Sequence, residues 1–491
     1  YMLTGAALTL AGDATISVAS AISAMIDSEV TGVDGLTKTG AGTLVLNAAN
    51  SYTGGTALAA GTIVVGNNLA LSTGGLAMAG GTTLTAGAAG LTLANAISTA
   101  GVGTIDTGAN TLTLGGVISG AGAIAKVGSG TLVLNGANTY AGGTALNAGG
   151  ITVGNSAALG TGALAMAGGT RLTAGAAGLA LANAVSTAGV GTIDTGINTL
   201  TLGGVISGAG SIAKIGTGTL VLNGANTYAG GTALNAGSIQ VGNNTALGSG
   251  TLAMAAGTGL VAGAPDLAVA NAVTLAGQTF IGNAATFTLN GVVSGTGRFD
   301  KIGAGTLVLN GANSFSGGAS ISEGAIQVGT STALGSGALT MVGGTRLISG
   351  AAGLSLANAI TTLGVGTIDT GANTLTLGGV VSGAGSIAKI GTGTLVLNGA
   401  NTHAGGTALS AGAITVGTSN ALGTGALTAA DGTTLNAGVS GLTLANAVTL
   451  NGNLTVNTGT SPATLAMSGV IGGAGGITKT GTGTLTLSGA S

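Results

Sequence analysis

The chain has 491 residues, of which 45% are hydrophobic and only 4% are charged, and its formal net charge is −2. This composition excludes a disordered chain, which needs low hydrophobicity and high net charge, and it predicts no nucleic-acid partner, because phosphate binding requires clustered Lys or Arg. The absence of Cys excludes disulfides and thiolate metal sites. Gly, Thr or Asn interrupts every apolar run before the roughly 18 residues that a membrane-spanning helix needs, so we expect no membrane span.

The first 37 residues concentrate the acidic side chains. Asp13, Asp27, Glu29 and Asp34 lie there, four of the 11 acids in the chain. Carboxylate clusters can bind a cation, but the stretch DSEVTGVDG lacks the Asp-x-Asp-Gly alternation of calcium loops and has no basic neighbour. We interpret it as a solvated acidic insertion in irregular first coils, with a metal site as the weaker alternative.

A lysine then recurs at nearly constant spacing, each time closing a short Gly-bounded segment such as IAK or LTK. The positions are Lys38, Lys126, Lys214, Lys301, Lys389 and Lys479, separated by 88, 88, 87, 88 and 90 residues. Such a period indicates a tandem array. We expect one continuous solenoid made of residues 1–37, the repeat units 38–125, 126–213, 214–300, 301–388 and 389–478, and the start of a further unit at 479–491.

Residues 130–213 show how one unit is built. Segments such as GTLVLNG, GTALNAG and GALAMAGG alternate aliphatic residues with Thr, Ala or Asn and end at Gly. This pattern predicts short β-strands with tight turns, whereas so much Gly disfavours helices. Aromatic residues are too few for the girdles of a transmembrane barrel. The sequence therefore predicts an all-β parallel β-helix with about four to five coils of roughly 18 to 22 residues per unit, and three longer coils remain possible.

The polar residues that recur have structural interpretations. Asp106, Asp194 and Asp369 share one position in GTIDTG and are expected to cap turns. His403, the only His, occupies a position that is Tyr in earlier units and is expected to replace it as a planar side chain. The lysines are too sparse to attract a polyanion and are expected to discourage edge pairing. The sequence predicts no catalytic, cofactor-binding or metal-binding residue, and hence no enzyme.

One later stretch, 259–300, is irregular enough to hold a site. It includes Arg298, Phe299 and Asp300, and a polysaccharide-binding groove needs charged and aromatic side chains of this kind. A glycan-binding or polysaccharide-active β-helix, with its site here or in the first 37 residues, is therefore the alternative function.

The block LTKTGAGTLVLNAANSYTGGTAL, residues 36–58, returns as IAKIGTGTLVLNGANTYAGGTAL and similar versions. It resembles the autotransporter-associated β-strand repeat found in passenger domains of bacterial type V secreted proteins. The resemblance implies a right-handed parallel β-helix displayed outside a Gram-negative-type cell. It implies a non-enzymatic shaft or fibre subunit that serves adhesion or homotypic association, with a second copy or a surface receptor as partner.

Overall fold

The computed structural model describes residues 1–489, and none of these residues is helical. The chain divides into two compact units, the first being Tyr1–Gly250 and the second beginning at Thr251. Strands form where aliphatic residues alternate with small polar ones. In Thr131–Leu134, Leu132 and Leu134 are buried while Thr131 and Val133 are partly exposed, because successive side chains of a strand point to opposite faces.

In the first unit all strand pairs are parallel, and the strands stack on three sides of the coil. The first side contains Met2–Leu3, Ser23–Ile26, Thr43–Leu46, Thr62–Val65, Thr83–Ala86, Val102–Asp106, Ala123–Val127, Thr144–Leu146, Leu164–Met166, Val185–Thr187 and Ile206–Ser207. The second side contains Ala14–Ser17, Leu36–Thr39, Thr56–Leu58, Leu76–Met78, Ile97–Thr99 and Ile118–Ser119, followed by Leu179–Leu181, Thr199–Leu202, Thr219–Leu222 and Ser238–Val241. The third side contains Leu8–Leu10 and Val30–Gly32, followed by Leu91–Leu93, Thr111–Leu114, Thr131–Leu134, Gly150–Val153, Arg171–Ala174, Val190–Asp194, Ser211–Ile215 and Thr232–Leu234.

The second unit has the same plan. One side contains Leu267–Val269, Phe287–Leu289, Thr306–Leu309, Ala325–Val328, Arg346–Ser349, Val365–Asp369, Ser386–Ile390, Thr407–Leu409, Leu427–Ala429, Val448–Leu450 and Ile471–Gly473. Another contains Gly259–Ala262, Gln278–Gly282, Arg298–Ile302, Ala319–Ile321, Leu339–Met341, Ile360–Thr362 and Val381–Ser382, followed by Leu442–Leu444, Thr464–Met467 and Thr484–Leu487. The remaining side contains Leu252–Met254, Val273–Leu275 and Val293–Gly295, followed by Leu354–Leu356, Thr374–Leu377, Thr394–Leu397, Ala413–Val416, Thr433–Ala437, Leu454–Asn457 and Ile477–Thr480. The prediction of a parallel β-solenoid is confirmed.

The repeat does not contain a whole number of coils. Thr43 pairs with Thr62, Thr62 with Thr83, Thr83 with Thr104 and Thr104 with Ala125, so these four coils take 19 or 21 residues each. Four coils that start at residue 43 end at residue 125. The residue equivalent to Thr43 in the next 88-residue repeat is Thr131, which is six positions further along the chain and lies on the neighbouring side of the coil. One repeat is thus about four and one third coils, within the predicted four to five, and equivalent segments of successive repeats face different sides.

The apolar core is a set of ladders that run from coil to coil. One ladder contains, from coil to coil, the fully buried residues Leu132, Ile151, Leu172 and Ile193. Stacked strands lie about 4.8 Å apart, so identical inward positions come into contact through the length of a side. This arrangement buries Leu, Ile and Val although each strand has only two to five residues.

Glycine is required where consecutive coils turn against each other. Gly130 follows the lysine segment, and a Cβ on it would lie 1.9 Å from the backbone oxygen of Asn110 in the preceding coil. Gly128 in the same turn has a φ of 80°, in the left-handed region that favours glycine. The Lys-x-Gly-x-Gly spacing therefore reflects the close approach of two backbones.

Candidate functional surface

The recurrent lysine lies in the core. Lys126 occupies a core ladder between Ile105 and Leu146 and has 0% exposure. Its ammonium donates hydrogen bonds to the carbonyl oxygens of Val127 at 2.9 Å, Gly128 at 2.8 Å and Ala148 at 3.1 Å. The aliphatic stem thus fills the ladder while the charge reaches the corner of the coil, as amphipathic side chains do.

The other buried lysines repeat this geometry. Each is fully buried and donates to three backbone carbonyls, namely Lys38, Lys214, Lys301 and Lys389. The expectation that the lysines are surface charges is therefore wrong for these five, and only Lys479 is exposed. Strand alternation contained the signal, because Ile124 and Lys126 are two residues apart and must point to the same face.

Burial and hydrogen bonding act on these ammonium groups in opposite directions. Burial lowers the pKa of Lys126 to about 8, and the Asp106 carboxylate partly offsets the shift. The three carbonyl dipoles favour the charged form, as hydrogen bonds to an ion do. At neutral pH the lysine therefore remains an ammonium that links two successive coils.

The Asn-x-Tyr motif replaces strand pairing where a sheet is interrupted. Asn138 accepts a hydrogen bond from the Ile118 amide at 2.7 Å and donates one to the Ala158 carbonyl at 2.6 Å. Its side chain therefore joins three successive coils. Tyr140, two residues on, is fully buried, and its hydroxyl lies 2.5 Å from the hydroxyl of Thr144.

The buried ring and its partner change together along the chain. Tyr52 and Tyr228 each bond a threonine four residues on, as Tyr140 does. In the fourth repeat the ring is Phe315, and residue 319 at the threonine position is Ala. In the fifth, the Nε2 atom of His403 lies 3.0 Å from Thr407 Oγ1. The interpretation of His403 as a planar replacement is confirmed.

The aspartates of GTIDTG form Asx turns, as predicted. The Oδ1 atom of Asp106 accepts a hydrogen bond from the Gly108 amide at 2.8 Å, and Asp194 and Asp369 accept the equivalent bonds at 2.9 Å. Two of them also pair with an arginine on the adjacent coil. The nitrogen–oxygen distances are 3.5 Å for Arg171 with Asp194 and 3.6 Å for Arg346 with Asp369.

The acidic side chains of the first coils bind neighbouring coils. Asp27 accepts from the Asn47 amide group at 2.8 Å, Glu29 from the Ser51 hydroxyl at 2.6 Å, and Asp34 from the Gly12 backbone amide at 2.7 Å. Across residues 1–489, no cluster of three or more His, Asp or Glu side chains is arranged to hold a metal ion.

The irregular stretch 259–300 contains three phenylalanines, of which Phe287 and Phe299 lie in the core and Phe280 is 36% exposed. Phe299 is fully buried, with its ring centroid 5.3 Å from that of Phe315. Outside, Arg298 pairs with Asp300 at 2.7 Å, and the Gln278 amide donates to Asp300 at 2.6 Å. The exposed Phe280 is the cross-strand neighbour of Asp300, so one aromatic ring remains at the surface, beside charged groups that neutralise each other.

The outward faces of the coils carry few charges and are made mainly of small side chains. In the first unit, an outward ladder is formed by Thr43, Thr62, Thr83 and Thr104. On the second side, Ala57, Ala77 and Ser98 help to line a shallow depression of about 490 Å³. Coil register brings these residues together, since they come from separate segments of the repeat. In the described residues, no helix has the length and hydropathy to cross a membrane.

Comparison with known families gives the class of this architecture. The Passenger-associated-transport-repeat model matches six segments, each beginning at the first or second residue of the lysine strand: 36–65, 124–153, 212–241, 299–328, 387–416 and 477–491. The first five segments contain the buried lysine, the Asn-x-Tyr position or its Phe or His equivalent, and the strand that follows it. These features define an autotransporter passenger built of β-repeats.

A curated relative belongs to the same class. The chain is similar to the adhesin BmaC autotransporter of Brucella suis biovar 1 (strain 1330), with 36% identity over 130 residues. The similarity covers 24% of this chain and 4% of that protein. No solved structure matches the chain. As an autotransporter passenger, the chain is displayed at the outer surface of a Gram-negative bacterium.

Proposed function

We propose that this chain is a non-enzymatic structural segment, a shaft or fibre subunit of a surface-displayed passenger that serves adhesion or homotypic association. The printed name of its relative, an adhesin, supports adhesion. Each repeat unit, counted from its lysine, is the structural module in this proposal.

One observation carries the proposal: within the described residues, the recurrent reactive side chains hold the coils together. The five buried lysines bind backbone carbonyls, the tyrosines bond threonines inside the core, and the single histidine is fully buried. An enzyme needs such groups to converge on a pocket open to substrate. Here the solvent-facing positions of the strands are mainly Thr, Ser, Ala and Val.

The outward faces suit association with a second copy. Few charges give weak repulsion between neighbouring molecules. In the first unit the equivalent residues Thr43, Thr131 and Thr219 lie on three different sides. A contact that one repeat makes is therefore repeated in other directions by the next two repeats, which favours association around the coil rather than along one side only.

Bead aggregation tests this proposal. Because the chain has no Cys, one cysteine added at a terminus attaches it to beads in a single orientation. We expect coated beads to cluster or to adhere to host matrix surfaces, with little change between about 50 and 500 mM NaCl, because the contact is uncharged. Coated beads that stay dispersed and non-adherent would contradict the proposal, as would release of sugar from polysaccharides by the pure chain.

A charged face provides the matched variant. Ala77 and Ser98 are exposed and pair directly across adjacent strands. The variant replaces both residues by Lys in the repeat unit 38–125, together with the equivalent Ala165 and Ser186 in the repeat unit 126–213. We expect it to reduce bead clustering without unfolding the coils. The control is the uncharged exchange Ala77→Ser with Ser98→Ala, which should cluster like the original chain.

A further inference from the structure

His403 has a single hydrogen-bond arrangement inside the core. The Thr407 hydroxyl donates to the Leu422 carbonyl at 3.0 Å, so it can only accept from the histidine Nε2 atom, also 3.0 Å away. Nε2 therefore carries the proton, and the ring is neutral with a lone pair on Nδ1. Nδ1 is buried and has no hydrogen-bond partner.

A second proton on this ring would create an unpaired charge in the core. The new N–H at Nδ1 would have no hydrogen-bond partner in this geometry. Gly423 packs against that edge of the ring, since a Cβ there would lie 2.7 Å from Nδ1. Burial accordingly lowers the pKa of His403 below its usual value, and the Val381 backbone opposes the shift only in part. Burying an ion without a partner is far more costly than burying the neutral ring.

The surroundings offer no carboxylate to compensate. The segments around the ring, 381–382, 407–409 and 421–423, contain no charged residue. On adjoining strands, Lys389 is bound to three carbonyls and Asp369 caps its own turn and pairs with Arg346. Asp431, further along, accepts a hydrogen bond from the backbone amide of Asn453 at 2.7 Å.

The same position in other repeats does not respond to acid. Burial raises the pKa of Tyr140 and Tyr228 to about 12, so both stay neutral throughout the acidic range, and Phe315 cannot ionise. Within the described repeats, the ring position is therefore sensitive to acid only in the fifth.

We propose that His403 is an acid-sensitive release point, at which protonation opens the coil formed by residues 401–427 while the equivalent coils of other repeats stay closed. The open coil binds a proton at about pH 6.5, the ordinary histidine value, and the closed coil binds one only at lower pH. Stability is therefore complete above pH 6.5 and falls as pH decreases. The equilibrium constant for opening rises by up to about tenfold per pH unit until the pKa of the closed form is reached.

Histidine NMR and hydrogen exchange test this directly on the full chain. Since there is one His, ring signals from a histidine-labelled sample need no assignment. We expect the neutral Nε2-protonated tautomer at pH 7 and a midpoint below 6.5. Amide exchange, corrected for its intrinsic pH dependence, should accelerate within 401–427 between pH 6.5 and 5, but not within the equivalent 138–164.

Two variants give matched controls. His403→Tyr recreates the Tyr140–Thr144 pair, and His403→Phe with Thr407→Ala recreates the natural combination of Phe315 with alanine. Both should fold and lose the local acid response. A ring midpoint at or above 6.5, wild-type exchange that does not change between pH 6.5 and 5, or an acid response that persists in either variant would overturn the proposal.

Discussion

The two compact units treat one core position differently. Residues 1–250 place a tyrosine there three times, each bonded to a threonine, whereas the second unit uses Phe315 with alanine and His403 with threonine. The side chain at this position is planar and buried in every repeat. The residue four positions later is Thr where the ring has a polar atom, as in Tyr and His, and Ala where the ring is Phe. The position therefore requires a planar side chain, and any polar atom on that side chain requires a hydrogen-bond partner, because an unsatisfied buried polar group costs about 1–3 kcal/mol.

The lysine position shows no such tolerance. Lys301 in the second unit makes the same three contacts as Lys126 in the first. Three carbonyl oxygens converge on one point at the corner of the coil, and the ammonium is the side-chain group with three donors to satisfy them. One ring can therefore replace another at the ring position, whereas no other side chain places three hydrogen-bond donors on a single terminal nitrogen as lysine does.

The largest predicted effect tests this strictness. Lys126→Met keeps the aliphatic stem but leaves three buried carbonyls without their donor, and we expect a loss of about 3 kcal/mol in the free energy of local opening. Native-state hydrogen exchange of residues 123–153 measures it. Lys301→Met should cost as much in the second unit, whereas Lys479→Met, at an exposed position, should cost under about 0.5 kcal/mol. If Lys126→Met caused no such loss, the lysine position would tolerate substitution as the ring position does, and the distinction between these two core positions would be wrong.

Asn138→Ala should have the next largest effect. It removes the amide that joins the Ile118 and Ala158 backbones where strand pairing is interrupted, so we expect a loss of about 2 kcal/mol. Exchange of the Ile118 amide reports it directly. Asn135→Ala, three residues earlier and exposed, is the control and should change the same amide little.

A smaller effect tests whether ring and partner act as a pair. Tyr140→Phe leaves the Thr144 hydroxyl without its partner and should cost about 1 kcal/mol. Adding Thr144→Ala should restore most of the loss, because both polar groups are then absent, as at Phe315. Denaturation midpoints of the two single variants and the double variant give the coupling energy. Strictly additive losses would show that the natural pairing has no energetic basis.

The smallest effect concerns the surface ion pairs. The Arg171 side chain is 54% exposed, and its charge lies 3.5 Å from Asp194. Arg171→Gln should change stability by less than about 0.5 kcal/mol, since exposed pairs contribute little. Thermal unfolding with and without added salt checks this. A large, salt-dependent loss would mean that surface charges, rather than the core positions, distinguish the repeats.

Predictions from the sequence were most accurate where the cause is local. Alternation identified the strands, and the aspartates of GTIDTG were correctly assigned to turns because an Asx turn involves residues two apart. His403 was recognised through its alignment with tyrosines in other repeats. The lysines were misassigned because charged residues are rarely buried, although the two-residue spacing from Ile124 places Lys126 on the inner face.

The sequence by itself determined the period, the short strands, the glycine turns and the class of protein, because these follow from side-chain chemistry within a few residues. Only the tertiary structure decided that four and one third coils make a repeat, that equivalent segments therefore face three sides, and that five cations lie inside. These features depend on the register between coils about 20 residues apart, which is set by packing along the ladders rather than by any local segment.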